Sequence, residues 1–250
     1  MDKQHHFLRI SESIPQHYNS SKANQDLPWS GTDNELRWAT NWKNPSNRDF
    51  LNSLKDFQYS YNSHGFRTPE FNNKPCIIAL GCSHTEGVGV AVKDTWPSVL
   101  EHLSGNTVYN LGVGGCGIDT VYRLLKYYAS NLNTIAICIH VPPSVRFEIK
   151  SNTWETYSIY DTDQNNFMKT WFLHDENSKL HQEKAVAAIR WFCSENDLPL
   201  AVTYCNDDQY IDKSVQNNLG RDLLHHGSGY HINIGRTMHN QLTNAPVVKW

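Results

Sequence analysis

From Lys74 onward the chain repeats one unit: a short apolar run, a turn, then a stretch with helical spacing. Residues 76–80 (Cys-Ile-Ile-Ala-Leu) are continuously apolar, as a strand buried on both faces of a sheet must be. Helical spacing follows over 94–103, with Trp96, Val99, Leu100 and Leu103 on one side. Residues 107–111 read as a second strand, and 119–132 as a helix that turns Val121, Leu124, Leu125 and Tyr128 inward. Residues 134–141 read as a third strand, ended by Pro142 and Pro143. A long helix over 177–196, a fourth strand over 198–204 and a last helix over 229–242 complete the pattern. Such alternation predicts an α/β fold in which a parallel sheet carries helices on both faces. Ligands of these sheets bind at the carboxyl ends of the strands. Ser83, the turn 112–117 and the turn 142–146 all follow strands, so all three are expected on one edge.

Residues 1–73 are different: polar, rich in Asn, Ser and Trp, and weakly periodic. Trp29, Trp38 and Trp42 are nevertheless too many aromatics for a disordered tail. The expected division is a loop-rich N-terminal extension, 1–73, packed on a main α/β domain, 74–250. An aromatic segment at about 144–174, with Trp154, Tyr157, Tyr160 and Trp171, is expected as an inserted loop or hairpin. The formal charge of −3 over 250 residues gives no basic excess for nucleic acid. No apolar stretch approaches the roughly 18 residues of a membrane span. The six cysteines show no C-x-x-C spacing and read as reduced thiols. The first residues, Met1 to His6, form no apolar leader, so a cytoplasmic protein is expected.

Two short blocks carry the chemistry. Gly81-Cys82-Ser83 closes the first strand, and Asp222-Leu223-Leu224-His225 precedes the last helix. An activated serine needs an imidazole whose Nε2 faces the hydroxyl and whose Nδ1–H is held by a carboxylate. Asp222, three residues before His225, is within reach of that Nδ1. Each block also has a plainer reading. Ser83 with Glu86 three residues later is a helix-capping pattern, and Asp-x-x-His is a common solvated loop pair. His226 should point elsewhere, and His231 falls on the following helix in a structural role. Gly112, Gly114, Gly115 and Gly117 bring backbone N–H groups close to an oxyanion or a phosphate, or else form a tight turn that needs positive φ. Thirteen histidines include the adjacent pairs His5-His6 and His225-His226, which converge poorly on one ion, and His225 with His231 lacks a third ligand. No metal and no cofactor is implied.

Together these blocks resemble the SGNH hydrolases, or GDSL esterases and lipases, over roughly residues 61–242. Gly81-Cys82-Ser83 stands where that family has Gly-Asp-Ser, and Thr85-Glu86-Gly87 continues the pattern. Asn110-Leu111-Gly112-Val113-Gly114-Gly115 matches the family's Asn-x-Gly-x-x-Gly block, which gives Gly115 an oxyanion role. Asp222 and His225 match its acid and base. Tyr61-Asn62-Ser63-His64-Gly65-Phe66-Arg67 is similar to an Asn-x-x-Gly-Phe-Arg motif that precedes the catalytic domain in many relatives. The resemblance implies a three-layer α/β/α sandwich with a parallel, flavodoxin-like sheet of about five strands. It departs in two places. Cys82 replaces the Asp of the first block. The third block, normally ending in an oxyanion Asn, reads Ile139-His140-Val141-Pro142-Pro143-Ser144-Val145-Arg146. Two prolines have no N–H to offer, so His140, Arg146, Asn62 and Arg67 are the candidates for the missing donor.

The implied activity is ester hydrolysis by Ser83, His225 and Asp222, with the Ser83 and Gly115 amides as oxyanion hole. The aromatic insert and the Trp-rich extension favour an O-acetylated carbohydrate over a long-chain lipid, although buried packing accounts for the same residues. The partner is then a small-molecule or carbohydrate ester, with no nucleic acid and no membrane. Two rivals stay open: a binding module that has lost hydrolysis with its third block, and a phosphate- or nucleotide-binding domain built on the turn 112–117.

Overall fold

The computed structural model describes residues 14–54, 57–158, 170–172, 174–205 and 219–244. The N-terminal part contributes small elements. Strand β1 (Asp26–Leu27) pairs antiparallel with β2 (Tyr59–Ser60), and helices α1 (Glu35–Trp42) and α2 (Arg48–Ser53) lie between them in sequence. Asn34 starts α1 by accepting the Arg37 N–H on its side chain. Trp29, Trp38 and Trp42 lie in a row, with ring centroids 6.0 and 5.8 Å apart.

The body follows in chain order: β3 (Cys76–Gly81), the one-turn helix α3 (Ser83–Glu86), α4 (Trp96–Ser104), β4 (Thr107–Gly112), α5 (Ile118–Asn131) and β5 (Thr134–Val141). After the hairpin β6 (Arg146–Lys150) and β7 (Trp154–Ser158) come α6 (Asp175–Glu195), β8 (Leu200–Tyr204) and α7 (Ser228–Asn244). The helix expected over 94–103 begins later, because Thr95 is extended and Pro97 occupies the first turn of α4. Of the segment 144–174, residues 159–169, Tyr160 among them, lie outside the described residues.

Four strands are described in the central sheet, where about five are expected. They run parallel in the order β4-β3-β5-β8. Side chains alternate between two cores because successive strand residues face opposite ways. Ile78, Leu80, Ile137 and Ile139 meet Val121, Leu124 and Leu125 of α5 and Val186 and Ile189 of α6. Ile77, Ala79, Cys138 and Ala201 meet Trp96 and Leu100 of α4 and Tyr230, Ile234 and Met238 of α7. The result is helices, sheet, helices. From β3 the chain moves to β4 on one side and then crosses to β5 on the other, so the carboxyl end of β3 is a switch point, the place where such sheets hold ligands. Among the described residues, no helix is long and apolar enough to cross a membrane.

Candidate active site

Ser83 is the first residue of α3, immediately past the carboxyl end of β3. Cys82 is the N-cap and makes no side-chain capping bond, so the capping-box pattern is not what the chain builds here. Two close approaches fix the turn. Gly81 has φ +155°, and a Cβ there would lie 2.2 Å from Thr85 Oγ1 and 2.6 Å from the His140 carbonyl. A Cβ on Gly112 would lie 2.2 Å from the Glu86 amide nitrogen. The end of β4 therefore presses directly on the helix that carries Ser83. Asn110 ties the two together: its Nδ2 donates to the Thr85 carbonyl and its Oδ1 accepts the Gly112 N–H.

Asp222 and His225 stand on the loop that enters α7. His225 Nε2 lies 2.8 Å from Ser83 Oγ, and Nδ1 lies 2.7 Å from Asp222 Oδ2. With its proton on Nδ1, the neutral imidazole donates to the carboxylate and accepts the serine O–H. The other carboxylate oxygen, Oδ1, accepts the Leu224 and His225 amides. The loop folds back this tightly because Leu223 adopts a left-handed conformation, φ +56°. Burial alone would raise the Asp222 carboxyl. Its bonds from His225 and Thr32 outweigh that and hold it at about 2. His226 stacks on Tyr230 at 4.2 Å, and His231 Nδ1 accepts the Trp96 N–H inside the core.

The N-terminal part reaches the site through polar groups that the sequence pattern does not mark. Thr32 Oγ1 donates to Asp222 Oδ2 at 2.6 Å, and Asn41 Nδ2 donates to the Asp222 carbonyl. Arg221, beside Asp222, is buried against Asp33 with Nη2–Oδ2 at 2.7 Å, and its guanidinium lies over the Trp29 and Phe57 rings. Glu86 is wholly buried. It accepts from Tyr61, Ser30 and Lys22 of the N-terminal part and from the Gly114 amide of the glycine turn. Burial pushes its carboxyl up, but Lys22 and the hydroxyl donors prevail and the net shift is downward. Glu86 therefore joins α3, the glycine turn and the N-terminal part at one point. The capping spacing that marks it in the sequence points to the wrong partner.

The structure sorts the proposed oxyanion donors. The amides of Ser83 and Gly115 find no acceptor among the described residues, and a Cβ on Gly115 would face open space. Three of the four side-chain candidates are engaged elsewhere. Asn62 Oδ1 accepts the His64 and Phe66 amides, and its Nδ2 donates to Pro69. Arg67 is buried under α3, donating to the carbonyls of Glu86, Gly87, Val90 and Gln58, so it caps that helix from below. His140 is fully buried, its two ring nitrogens bonded to Thr203 and Tyr230, and burial lowers it to about 3. Arg146 remains: its Nη1 donates to the carbonyl of Cys116, the residue after Gly115. Cys82 Sγ contacts Cys205 at 3.6 Å, and that contact draws the Cys82 thiol down while burial drives Cys205 up. All six cysteines are free thiols. Among the described residues no cluster of His, Cys, Asp or Glu is suited to a metal ion.

Of the aromatic residues expected to form a sugar-stacking rim, those described in the insert contact other protein groups and stay half-buried, and Tyr160 lies outside the described residues. Phe147 contacts Tyr157, Trp171 and Phe172, and the Arg123 guanidinium lies over the Trp154 ring.

No protein-family model and no curated protein matches this chain. Among solved structures it resembles a G-D-S-L family protein from Desulfitobacterium hafniense DCB-2, with 14% identity, 68% of this chain, 100% of that one and a TM-score of 0.37. A member of the lipolytic protein G-D-S-L family from Veillonella parvula DSM 2008 is similar at 14% identity, covering 68% of this chain and 97% of that one, TM-score 0.36. A GDSL-like lipase from Bacteroides ovatus is similar at 15% identity, covering 66% of this chain and 51% of that one, TM-score 0.36. These likenesses are distant, and the chemistry of the site rests on its own geometry.

Proposed function

We propose that this chain hydrolyses a carboxylic ester through Ser83, His225 and Asp222. The observation that carries the reading is the unbroken line from Ser83 Oγ through the imidazole to the Asp222 carboxylate, at 2.8 and 2.7 Å. Ser83 Oγ attacks the ester carbonyl while His225 Nε2 takes its proton. Asp222 holds the Nδ1–H and stabilises the imidazolium that forms. The Ser83 and Gly115 amides bind the oxyanion. The imidazolium then protonates the leaving alcohol, and water releases the acyl group by the same route. Without a third-block Asn, hydrolysis is slower by roughly 10²–10³ unless a side chain replaces it. Arg146 is the candidate that still faces the glycine turn. The base must be neutral, so turnover rises with pH through the acid limb.

A fluorophosphonate probe should label Ser83 and leave Ser83→Ala unlabelled. Short-chain nitrophenyl ester turnover should fall by about 10⁴ or more in Ser83→Ala and His225→Ala and survive in His226→Ala. A folded protein that neither labels nor turns over any ester would leave the binding-module reading in its place.

A further inference from the structure

Thr32 lies 190 residues from Asp222 in sequence, yet its hydroxyl is 2.6 Å from Asp222 Oδ2. It is also 3.3 Å from His225 Nδ1. We propose that Thr32 is a positioning residue for the acid–base pair, and that through it the N-terminal part of the chain completes the active site. The inference rests on the hydrolase reading above and deepens it.

A carboxylate oxygen accepts through two in-plane lone pairs. Oδ1 uses both on the Leu224 and His225 amides. Oδ2 gives one to the imidazole and one to Thr32. With all four positions filled, the carboxylate plane cannot rotate without breaking a bond, and the imidazole stays aimed at Ser83. Thr32 is itself held firmly. It sits between Ser30 and Asp33, whose backbones exchange N–H to carbonyl bonds at 2.9 and 3.1 Å. Asp33 is fixed by Arg221 and by the Tyr59 hydroxyl, and the next residue, Asn34, caps α1. A β-branched side chain also has few rotamers in which to lose the contact.

The hydroxyl has an electrostatic effect of opposite sign to its geometric one. Its bond draws charge from Oδ2 and is among the causes that hold the Asp222 carboxyl low. Removing it leaves more charge for the imidazolium, which favours the protonated base. The other titratable groups around His225 are Cys82 at the N-cap of α3, His84 within α3, His226 beside it and His231 of α7. None of them bonds to Thr32.

The test compares wild type, Thr32→Val and Thr32→Ser. Valine is chosen over alanine because Thr32 is exposed, and a smaller side chain would let water stand in for the hydroxyl. In Thr32→Val, kcat should fall roughly 10-fold with KM unchanged, as misaimed but still binding sites do. The acid limb of kcat/KM should move to higher pH. Thr32→Ser should restore both to within about 2-fold of wild type. The far-downfield proton resonance of the imidazole Nδ1–H should shift or broaden in the valine variant and return in the serine variant, with an unchanged urea midpoint. A valine variant with wild-type kcat, pH profile and proton resonance would overturn the proposal. So would a serine variant as impaired as valine, which would assign the effect to methyl packing. If wild type itself is unlabelled and inactive, the hydrolase reading fails, and the imidazole resonance alone still decides whether Thr32 sets the pair.

Discussion

Ser83 and His225 are held by two different kinds of structure. Ser83 sits on the rim of a sheet whose β3 residues are all buried, and its position follows from apolar packing and two glycines that admit close backbone contact. His225 sits on a loop with little apolar anchorage. That loop is gripped by hydrogen bonds and a buried ion pair from residues nearly 200 positions earlier. Packing places Ser83 redundantly, through many contacts that each contribute a little. The grip on the loop is concentrated in a few polar groups, so single changes there should have large effects on both stability and activity.

Arg221 tests this most severely. Its guanidinium makes bonds to Asp33, Pro28 and Phe57 and lies over the Trp29 and Phe57 rings, 4.3 and 4.0 Å from their centroids. Arg221→Ala should cost about 3–5 kcal/mol in urea unfolding, because it strands a buried Asp33 carboxylate. Turnover should fall with it, since Asp222 is the next residue. Asp33→Ala should behave alike, and the double variant should cost clearly less than the sum. Additive costs would mean that the two ends of this pair act independently, and the contrast between the two halves of the site would weaken.

The same contrast explains what the sequence discloses. β3, nearly all of β4 and most of β5 are contiguous runs buried on both faces, so 76–80, 107–111 and 134–141 match the observed strands within a residue or so, whereas β8 is only partly buried and begins at Leu200, two residues after its expected start. The blocks that hold Ser83, Asp222 and His225 are visible in sequence because each is short and local, and the structure brings the three side chains within hydrogen-bond distance. Thr32, Asn41 and Glu86 are not visible in this way, because their partners lie far away in sequence. Thr32 stands in Gly31-Thr32-Asp33-Asn34, which reads locally as an ordinary helix start. Asn62 and Arg67 form a visible motif, but their chemistry is directed at backbone carbonyls and amides instead of substrate. Residue type alone does not distinguish those uses.

On the Ser83 side a smaller effect is expected from Gly112→Ala. The added methyl would meet the Glu86 amide nitrogen and the Thr85 carbonyl carbon at 2.2 and 2.6 Å, both of them backbone. No rotamer change can relieve that, so β4 and α3 must move apart. The expected cost is about 1–3 kcal/mol by chemical denaturation. Because Ser83 rides on α3, kcat should fall as well, with the His225 loop left intact. A variant that loses stability but keeps full kcat would show that the rim of the sheet places Ser83 with slack to spare.

The smallest expected effect has the opposite sign. Leu223 is a non-glycine residue at φ +56°, a region that costs an L-residue with a side chain like leucine roughly 1–2 kcal/mol. The strain buys the fold-back that sets the Leu224 and His225 amides on Asp222 Oδ1. Leu223→Asn should relieve part of it, because asparagine tolerates the left-handed region and adds none of the unfolded-chain freedom of glycine. A gain of about 0.5–1 kcal/mol is expected, read as a higher urea midpoint, with kcat unchanged. The fold-back depends on backbone conformation, not on the leucine side chain, so the loop should hold the same shape at lower cost. If stability rises while kcat drops, the strained leucine contributes to aiming His225, and the loop is set by local backbone tension as well as by its distant polar partners.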